Sequence, residues 1–351
     1  MPEIASSSSA KQYWTDRLTP GGARLLLGVL LVVAAGLVWV ALGIGEPVRR
    51  AGPSDLDTYQ RVVEASRGGQ NYYAALHQAL LDGGYGTLSP LNWRTPLFLS
   101  FLALFPTLES AQVFLGLVTL VGWLISVAFV YRRSGAGVAV WAGVVLALGL
   151  VSIIAYRAEL SFELCAGTLI LISVSAYGLG WRWAGFALAL LALFVRELAV
   201  IYALVCLATA LRERRWSEVV AWLVGLAAYA GFYLWHWSQL SALIGPADHA
   251  AATDWLQFGG LVFVLRTAAF NGVLLVAPYW VAAIFLVLGL LGLKDQPRAA
   301  VTVALYLLLF LVYGRPENEY WGALYAPLIA LGLVWAPGTI RRLGLRLRRS
   351  S

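Results

Sequence analysis

The sequence contains few charged residues: Asp, Glu, Lys and Arg together make up only 12% of its 351 residues. Soluble domains usually carry about 25%. Hydrophobic residues, in contrast, account for 60% of the chain, which is more than the interior of a soluble fold of this length requires. The composition therefore excludes an ordinary soluble protein and indicates that much of the apolar surface faces lipid.

Cysteine and histidine are also scarce. Cys165 and Cys206 both lie in apolar runs, without a CxxC partner or a nearby histidine, so core packing explains them. The three histidines, His77, His236 and His249, are isolated in the sequence. No metal-ligand spacing, P-loop, GxGxxG motif or nucleophile elbow is present. The sequence therefore gives no support to soluble nucleotide chemistry and predicts neither a metal nor a cofactor.

Long apolar runs predict the fold class. A membrane-spanning helix needs about 20 mostly apolar residues, and lipid leaves only helices or a closed barrel as spanning structures. Residues 25–44 are continuously apolar, whereas a strand of a membrane barrel would alternate apolar and polar residues. We therefore predict an all-α polytopic transmembrane protein that forms a single domain over residues 1–351. Its ten spans are expected near residues 24–44, 109–131, 135–155, 159–179, 182–195, 197–211, 216–238, 270–292, 299–313 and 320–337.

The distribution of charge predicts the orientation of these spans. With the N-terminal tail, residues 1–23, in the cytoplasm, 16 of the 25 basic residues lie on the cytoplasmic side together with five acidic residues. The basic tail, residues 338–351, then lies there as well, as the positive-inside rule favours. The basic residues are spread over helix ends, which favours a lipid bilayer over nucleic acid as the partner. The chain is thus expected in the inner or plasma membrane, and its first apolar run is too long for a cleaved signal peptide.

Two features break the regular pattern of spans. Segments 182–195 and 197–211 are short and meet at Arg196 and Glu197, so they cross a thinned region or form a buried hairpin. The first extracytoplasmic loop, residues 45–108, is long and contains an amphipathic stretch at 56–65 and a turn-rich stretch at 82–86. Residues 96–105 are apolar but too few to span, which indicates an interfacial or re-entrant helix.

Two carboxylates of the first loop are candidates for chemistry, because Asp55 and Asp57 follow directly after the first span. Ionisable groups close to the membrane are functional candidates by default. Two ordinary explanations stay open: Asp55 could cap the amphipathic helix, and Asp57 could be a solvated loop charge.

Four arginines on the same predicted side run against the positive-inside tendency: Arg94, Arg157, Arg196 and Arg315. A phosphate at the membrane surface would explain them, because a guanidinium can hold it with two parallel hydrogen bonds. The alternative is ion pairing with neighbouring glutamates, which all except Arg94 possess. Glu159 and Glu163 are spaced to share one helix face, from which they could hold Arg157 or a sugar hydroxyl.

Together these features resemble the C-fold (GT-C) integral membrane glycosyltransferases. The first loop opens with Asp55-Leu-Asp57-Thr-Tyr59, continues through Gly68-Gly69-Gln70-Asn71-Tyr72-Tyr73 and leads through Asn92-Trp-Arg94-Thr-Pro96 into an apolar segment. The Arg196-Glu197 turn and the segment from Arg315 to Tyr320 fit the same pattern. The resemblance covers the whole chain in topology, although its motifs are short, and the C-terminal soluble domain of the larger members is not expected.

The resemblance implies a bacterial mannosyltransferase-like enzyme that moves a sugar from a polyprenyl-phosphate carrier to a lipid or cell-surface glycan acceptor outside the cytoplasm. One loop carboxylate would act as general base. Asp57 is slightly favoured for this role, with Asp55 orienting it or the acceptor. The leaving group is a monophosphate, which does not demand a metal. The residues implied to bind the donor phosphate or sugar are Arg94, Arg157, Arg196, Arg315, Glu159, Glu197, Glu317, Asn318 and Tyr320.

Two other functions compete with this one. A transporter or flippase of a lipid-linked sugar would also use arginines and aromatic residues, but it would place polar residues near the bilayer midplane and often show repeated halves. A polysaccharide polymerase or ligase would commonly carry its large external loop late in the chain, whereas the large loop here comes first.

Overall fold

A computed structural model describes residues 14–45, 54–155, 157–250 and 257–348. Within these ranges the protein is 82% helical and has no strand, so the predicted all-helical fold class is confirmed. Parts of the predicted N-terminal tail, first loop and C-terminal tail lie outside the described residues. The α-helices are α1 (Pro20–Leu42), α2 (Asp55–Arg67), α3 (Tyr72–Asp82), α4 (Pro96–Ala103), α5 (Leu108–Ser134), α6 (Ala136–Leu150), α7 (Phe162–Gly178), α8 (Arg182–Val195), α9 (Val200–Arg212), α10 (Trp216–Ser241), α11 (Gly260–Ala269), α12 (Tyr279–Leu293), α13 (Pro297–Val312) and α14 (Ala326–Arg348).

Among the described residues, five helical segments are long and apolar enough to cross a membrane: α1, α5, residues 136–154 including α6, α10 and α14. Their large hydrophobic side chains are widely exposed, as Trp39 at 80% and Leu234 at 70% illustrate. Exposed apolar surface of this extent is atypical of a soluble monomer. The helices thus indicate a membrane protein, while the full set of ten spans stays a prediction.

Three predicted spans differ from the helices observed. α7 begins at Phe162 because Ser161 is in an extended conformation and its hydroxyl accepts a hydrogen bond from the Leu164 amide. α12 begins at Tyr279, after Pro278, and a 3₁₀ helix precedes it at Gly272–Val276. α14 begins at Ala326 and continues past Pro337 to Arg348, so the predicted basic tail is helical over its described part.

The first loop folds into helices α2, α3 and α4. Ser54 caps α2 in a reciprocal arrangement: the Asp57 amide donates to the Ser54 hydroxyl, and the Ser54 amide donates to the Asp57 carboxylate. Asn71 caps α3, which the sequence pattern had not indicated as a helix, and Pro96 occupies the first position of α4. These helices cover one end of the bundle, here called the loop end.

The core is centred on α7, which is buried from Phe162 to Ala176. It packs against α5, α8 and the 3₁₀ helix Pro316–Leu324, which also contacts α11. Gly167 and Gly322 permit these approaches, since a Cβ at either position would come within 2 Å of a backbone oxygen, that of Ala323 and of Thr267 respectively. The 3₁₀ helix is thus held close to the centre of the loop end. The opposite end, where Arg346 pairs with Asp16 at 3.0 Å, is called the tail end.

Candidate active site at the loop end

Asp55 lies in the first turn of α2, where its half-buried carboxylate accepts hydrogen bonds from two tyrosines. The Tyr85 hydroxyl donates to Oδ1 at 2.5 Å, and the Tyr320 hydroxyl donates to Oδ2 at 3.0 Å. Burial, and then the charge of Asp55, raise the pKa of Tyr320, which keeps its proton and remains a donor. Residues distant in sequence thus fix both oxygens of one carboxylate.

Asp57 has a different environment, although it lies only two residues further along. It closes the cap of α2 through Ser54, and its Oδ1 accepts a hydrogen bond from Arg157 Nη1 at 2.7 Å. The hydrogen bond from Arg157 and those from Ser54 lower the pKa of Asp57 from 3.8 to about 2. The carboxylate is therefore held in its ionised form by a cap and an ion pair, and it is a weak proton acceptor.

Arg157 reaches Asp57 from a strained turn. Its backbone adopts φ 65° and ψ 20°, a left-handed conformation that non-glycine residues rarely adopt. The guanidinium crosses to the first loop and pairs with Asp57, although Glu159 is nearer in sequence. Strained residues of this kind concentrate at functional sites, where the surrounding structure holds them in place.

The prediction that Glu159 and Glu163 share one helix face is wrong. Glu159 lies in the 3₁₀ helix Ala158–Leu160, and the extended Ser161 separates it from Glu163 in α7. Burial raises the pKa of Glu159. Glu163 instead forms an ion pair with Arg196, with 2.6 Å between Nε and Oε1. The spacing of four residues did not place the two side chains on one helix because a cap intervenes.

A buried ion cluster lies behind Asp55, where the chain leaves α8. Arg196 is extended, with φ −144° and ψ 118°, and this break turns its side chain into the protein. Its guanidinium pairs with both Glu163 and Glu197 and is only 2% exposed. Arg196 and Arg94 balance Glu163 and Glu197 in charge.

Arg94 connects this cluster to the first loop. Its Nε donates to the Tyr59 hydroxyl at 2.8 Å, and its Nη1 lies 3.8 Å from Glu197 Oε1. Its guanidinium also lies over the rings of Tyr59 and Phe162. The charges of Asp55, Glu163 and Arg94 all act on the hydroxyl of Tyr320, which indicates that the cluster lies near Asp55.

The 3₁₀ helix Pro316–Leu324 carries the remaining candidates. Arg315 Nη2 pairs with Glu317 Oε1 at 2.6 Å, and the buried Asn318 has a non-helical backbone within this segment. Tyr320 points to Asp55, whereas Glu319 lines a separate groove. The structure therefore brings Asp55, Tyr320, Arg94, Arg196 and Glu197 together, with the Asp57–Arg157 pair joined to Asp55 through α2.

The groove beside Tyr320 has a volume of about 720 Å³ and is formed by α1, α11, α12 and the 3₁₀ helix Gly272–Val276. Its wall is mostly apolar and open outward, since Val276 is 91% exposed and Leu275 is 46% exposed. Two charged residues, Arg266 and Glu319, stand in this wall, and Arg266 is only 8% exposed. Burial raises the pKa of Glu319, and the nearby Arg266 acts to lower it.

Sequence reasoning missed Arg266 and gave no role to Tyr85. A signal for Arg266 did exist, since it is an arginine within the otherwise apolar run of α11. Comparison with family models, with curated proteins and with solved structures gives no match. The function is therefore inferred from the residues of this site.

Proposed function

We propose that the protein is a membrane glycosyltransferase that transfers a sugar from a polyprenyl-phosphate carrier to a hydroxyl acceptor. In this proposal ten spans cross the membrane, both termini are cytoplasmic and the loop end faces away from the cytoplasm. The observation that carries the proposal is a half-buried carboxylate, Asp55, whose two oxygens are fixed by Tyr85 and Tyr320. Tyr320 directly follows Glu319, which lines an outward-open, mostly apolar groove.

Asp55 is the general base in this proposal. Its two tyrosine hydrogen bonds leave each carboxylate oxygen with a further lone-pair direction, in which it can accept a proton. Asp57 is less suitable because its carboxylate already closes the α2 cap and pairs with Arg157. The sequence favoured Asp57 slightly, whereas these contacts favour Asp55, with Asp57 and Arg157 holding the start of α2 in place.

The groove supplies a site for the lipid-linked donor. Its apolar, outward-open wall suits a prenyl chain, and the buried Arg266 suits a phosphate at the same depth. Glu319 and Tyr320 are consecutive, with Glu319 in the groove and Tyr320 on Asp55. A donor phosphate beside Arg266 would therefore present its sugar near the carboxylate. Arg94 and Arg196, whose charges Glu163 and Glu197 balance, have a positioning role.

The proposed reaction is a single displacement. The acceptor hydroxyl transfers its proton to Asp55 as its oxygen forms a bond to the anomeric carbon. The bond from that carbon to the phosphate oxygen breaks, and the lipid monophosphate leaves with the bonding electron pair. Arg266 stabilises the charge that develops on the phosphate, and a prearranged cation of this kind is typically a large contributor to rate.

The test is transfer activity in membranes that contain the full chain. Radiolabelled polyprenyl-phosphate hexoses and pentoses are supplied, and label is followed into lipid and glycan fractions. Asp55→Asn is expected to lower transfer by about 10²- to 10⁴-fold, the usual contribution of a general base. Asp57→Asn is expected to have a smaller effect. Arg266→Gln is expected to lower kcat, because it removes the cation that stabilises the charge developing on the phosphate, and to raise the KM for the donor as well.

Glu64→Gln is the matched control, because Glu64 is an exposed carboxylate on the same helix, bonded to Gln60. Full transfer activity in both Asp55→Asn and Asp57→Asn would rule out the loop carboxylates as the base. Movement of labelled donor across the bilayer without any transfer product would indicate a transporter instead.

A further inference from the structure

A second polar cavity lies at the tail end and takes no part in the proposed transfer. Its volume is about 610 Å³, and three separate connections between helices contribute to it: α7 to α8, α9 to α10 and α12 to α13. One arginine stands at each of these three junctions: Arg182 begins α8, Arg215 directly precedes α10, and Arg298 lies in the first turn of α13. The cavity wall also contains three aromatic residues, Tyr177, Trp181 and Trp183.

The local backbone brings these residues together. Gly180, at φ 87°, makes the tight turn between α7 and α8 that carries Trp181 and Arg182 toward Tyr177. Gly185 lets α8 approach closely, because a Cβ there would lie 2.6 Å from the Tyr177 ring. The ring is thereby fixed as a platform for the arginines.

The charges in the cavity do not balance. Arg215 has two carboxylate partners, since it pairs with Glu213 at 3.0 Å and with the fully buried Glu218 at 2.6 Å. Arg182 is 3.9 Å from Glu218, at the far limit of an ion pair. Three guanidinium groups thus share two carboxylates, and Glu218 also accepts a hydrogen bond from Tyr177 at 2.9 Å.

Arg298 is the least neutralised of the three. Its guanidinium lies over the Tyr177 ring, 3.8 Å from the ring centre, which fixes its plane. Within the part of the chain that the structure describes, its side chain has no ion pair, and its buried Nε has no hydrogen-bond partner. A planar guanidinium held in this way is prepared to bind an oxyanion through two parallel hydrogen bonds.

We propose that this cavity binds the phosphate group of an anionic ligand, with Arg298 and Arg182 as its main contacts. Charge topology alone explains basic residues at a cytoplasmic helix end, but it does not require three arginines from three junctions to surround one ring. The rim carries Trp181 and Trp183, about half exposed, which are side chains typical of the membrane interface. The phosphate belongs either to a phospholipid headgroup or to a soluble phosphate ester.

The experiment uses the full chain in nanodiscs and measures ligand affinity. One arm titrates phosphatidylglycerol into phosphatidylcholine discs and follows bound lipid by native mass spectrometry. The other arm titrates glycerol phosphate against phosphatidylcholine discs and follows the midpoint of thermal unfolding. Arg298→Gln and Arg182→Gln are each expected to weaken binding of the true ligand by roughly ten- to hundredfold, the usual effect of losing a hydrogen bond to a charged group.

Arg212→Gln is the matched control, because Arg212 is an exposed arginine at the end of α9, on the same connection as Arg215 but outside the cavity wall. Arg298→Lys tests the geometry of the contact, because it keeps the positive charge but loses the planar guanidinium with its two parallel donors. Its affinity for the ligand is expected to lie between that of wild type and that of Arg298→Gln. Loss in the lipid arm alone assigns the site to a headgroup, and loss in the soluble arm assigns it to a phosphate ester. Equal affinities for Arg298→Gln, Arg182→Gln and Arg212→Gln in both arms would overturn the proposal.

Discussion

The two ends of the helix bundle use arginine in different ways. At the loop end Arg94 and Arg196 share two carboxylates, Glu163 and Glu197, and both guanidinium groups are almost fully buried. At the tail end three arginines surround two carboxylates, and Arg298 stacks on a tyrosine ring. The first arrangement is neutral in itself, whereas the second retains positive charge.

This difference separates a positioning role from a binding role. A buried charge is tolerated when it is paired, and removing one partner leaves an uncompensated charge in a medium of low dielectric constant. A cation without a close carboxylate partner at the protein surface has the capacity to bind an anion. We therefore interpret the loop-end cluster as the support for Asp55 and Tyr320, and the tail-end cavity as a site in its own right.

The largest expected effect comes from breaking the loop-end cluster. Arg196→Gln leaves Glu163 and Glu197 without their shared guanidinium, and loss of one partner from a buried pair costs about 3–5 kcal/mol. The free energy of unfolding, measured by denaturant titration in a mild detergent, is expected to fall by this amount. Arg212→Gln serves as the surface control and is expected to change it by no more than about 0.5 kcal/mol. Equal stability of the two variants would mean that the buried cluster contributes no support.

The second effect concerns the tyrosines on Asp55. Tyr320→Phe removes the donor to Oδ2 while keeping the ring, and transfer activity is expected to fall roughly ten- to hundredfold, as for other hydrogen bonds to charged groups. The KM for the donor is expected to change little.

Tyr325→Phe is the control for Tyr320→Phe. Tyr325 directly follows the 3₁₀ helix, and its buried hydroxyl contacts Thr267 rather than Asp55. If the two phenylalanine variants lose the same activity, the effect is general destabilisation and the role assigned to the Tyr320 hydroxyl is wrong.

Much of the fold was predictable, because apolar runs are local features of a sequence. The runs that became α1, α5 and α10 are visible without any knowledge of packing. Short or interrupted elements were harder to predict. The helix α11 was missed because ten residues with an internal arginine resemble neither a span nor a loop. The end of α14 was misplaced because Pro337 reads as a stop, although neighbouring helices can accommodate a proline within a helix.

The site was predictable only in its composition. Asp55, Arg94, Arg196 and Tyr320 were candidates because charged and aromatic residues near helix ends can bind or react with a substrate. The partner of each side chain, however, is set by tertiary structure. Tyr85 reaches Asp55 across 30 positions, and Tyr320 reaches it across 265. Arg157 pairs with Asp57 across 100 positions rather than with the nearby Glu159. Contacts over such separations depend on how α2 packs beside the 3₁₀ helices, and no local pattern encodes that.

The smallest expected effect distinguishes Asp57 from Asp55. The pKa of Asp57 is lowered from 3.8 to about 2, so its contribution to stability is complete above the unfolded value and is lost as the pH falls through the folded value. The side chain is 43% exposed, and solvent screening limits this contribution to less than about 1 kcal/mol. The difference in unfolding free energy between wild type and Asp57→Asn is therefore expected to be small at neutral pH and to shrink between about pH 4 and pH 2. Glu64→Gln removes an exposed carboxylate from the same helix. The difference in unfolding free energy between wild type and Glu64→Gln is expected to stay constant over this pH range. A difference that grows on acidification would mean that Asp57 is protonated in the folded protein at higher pH, and the assignment of the base to Asp55 rather than Asp57 would then lose its electrostatic support.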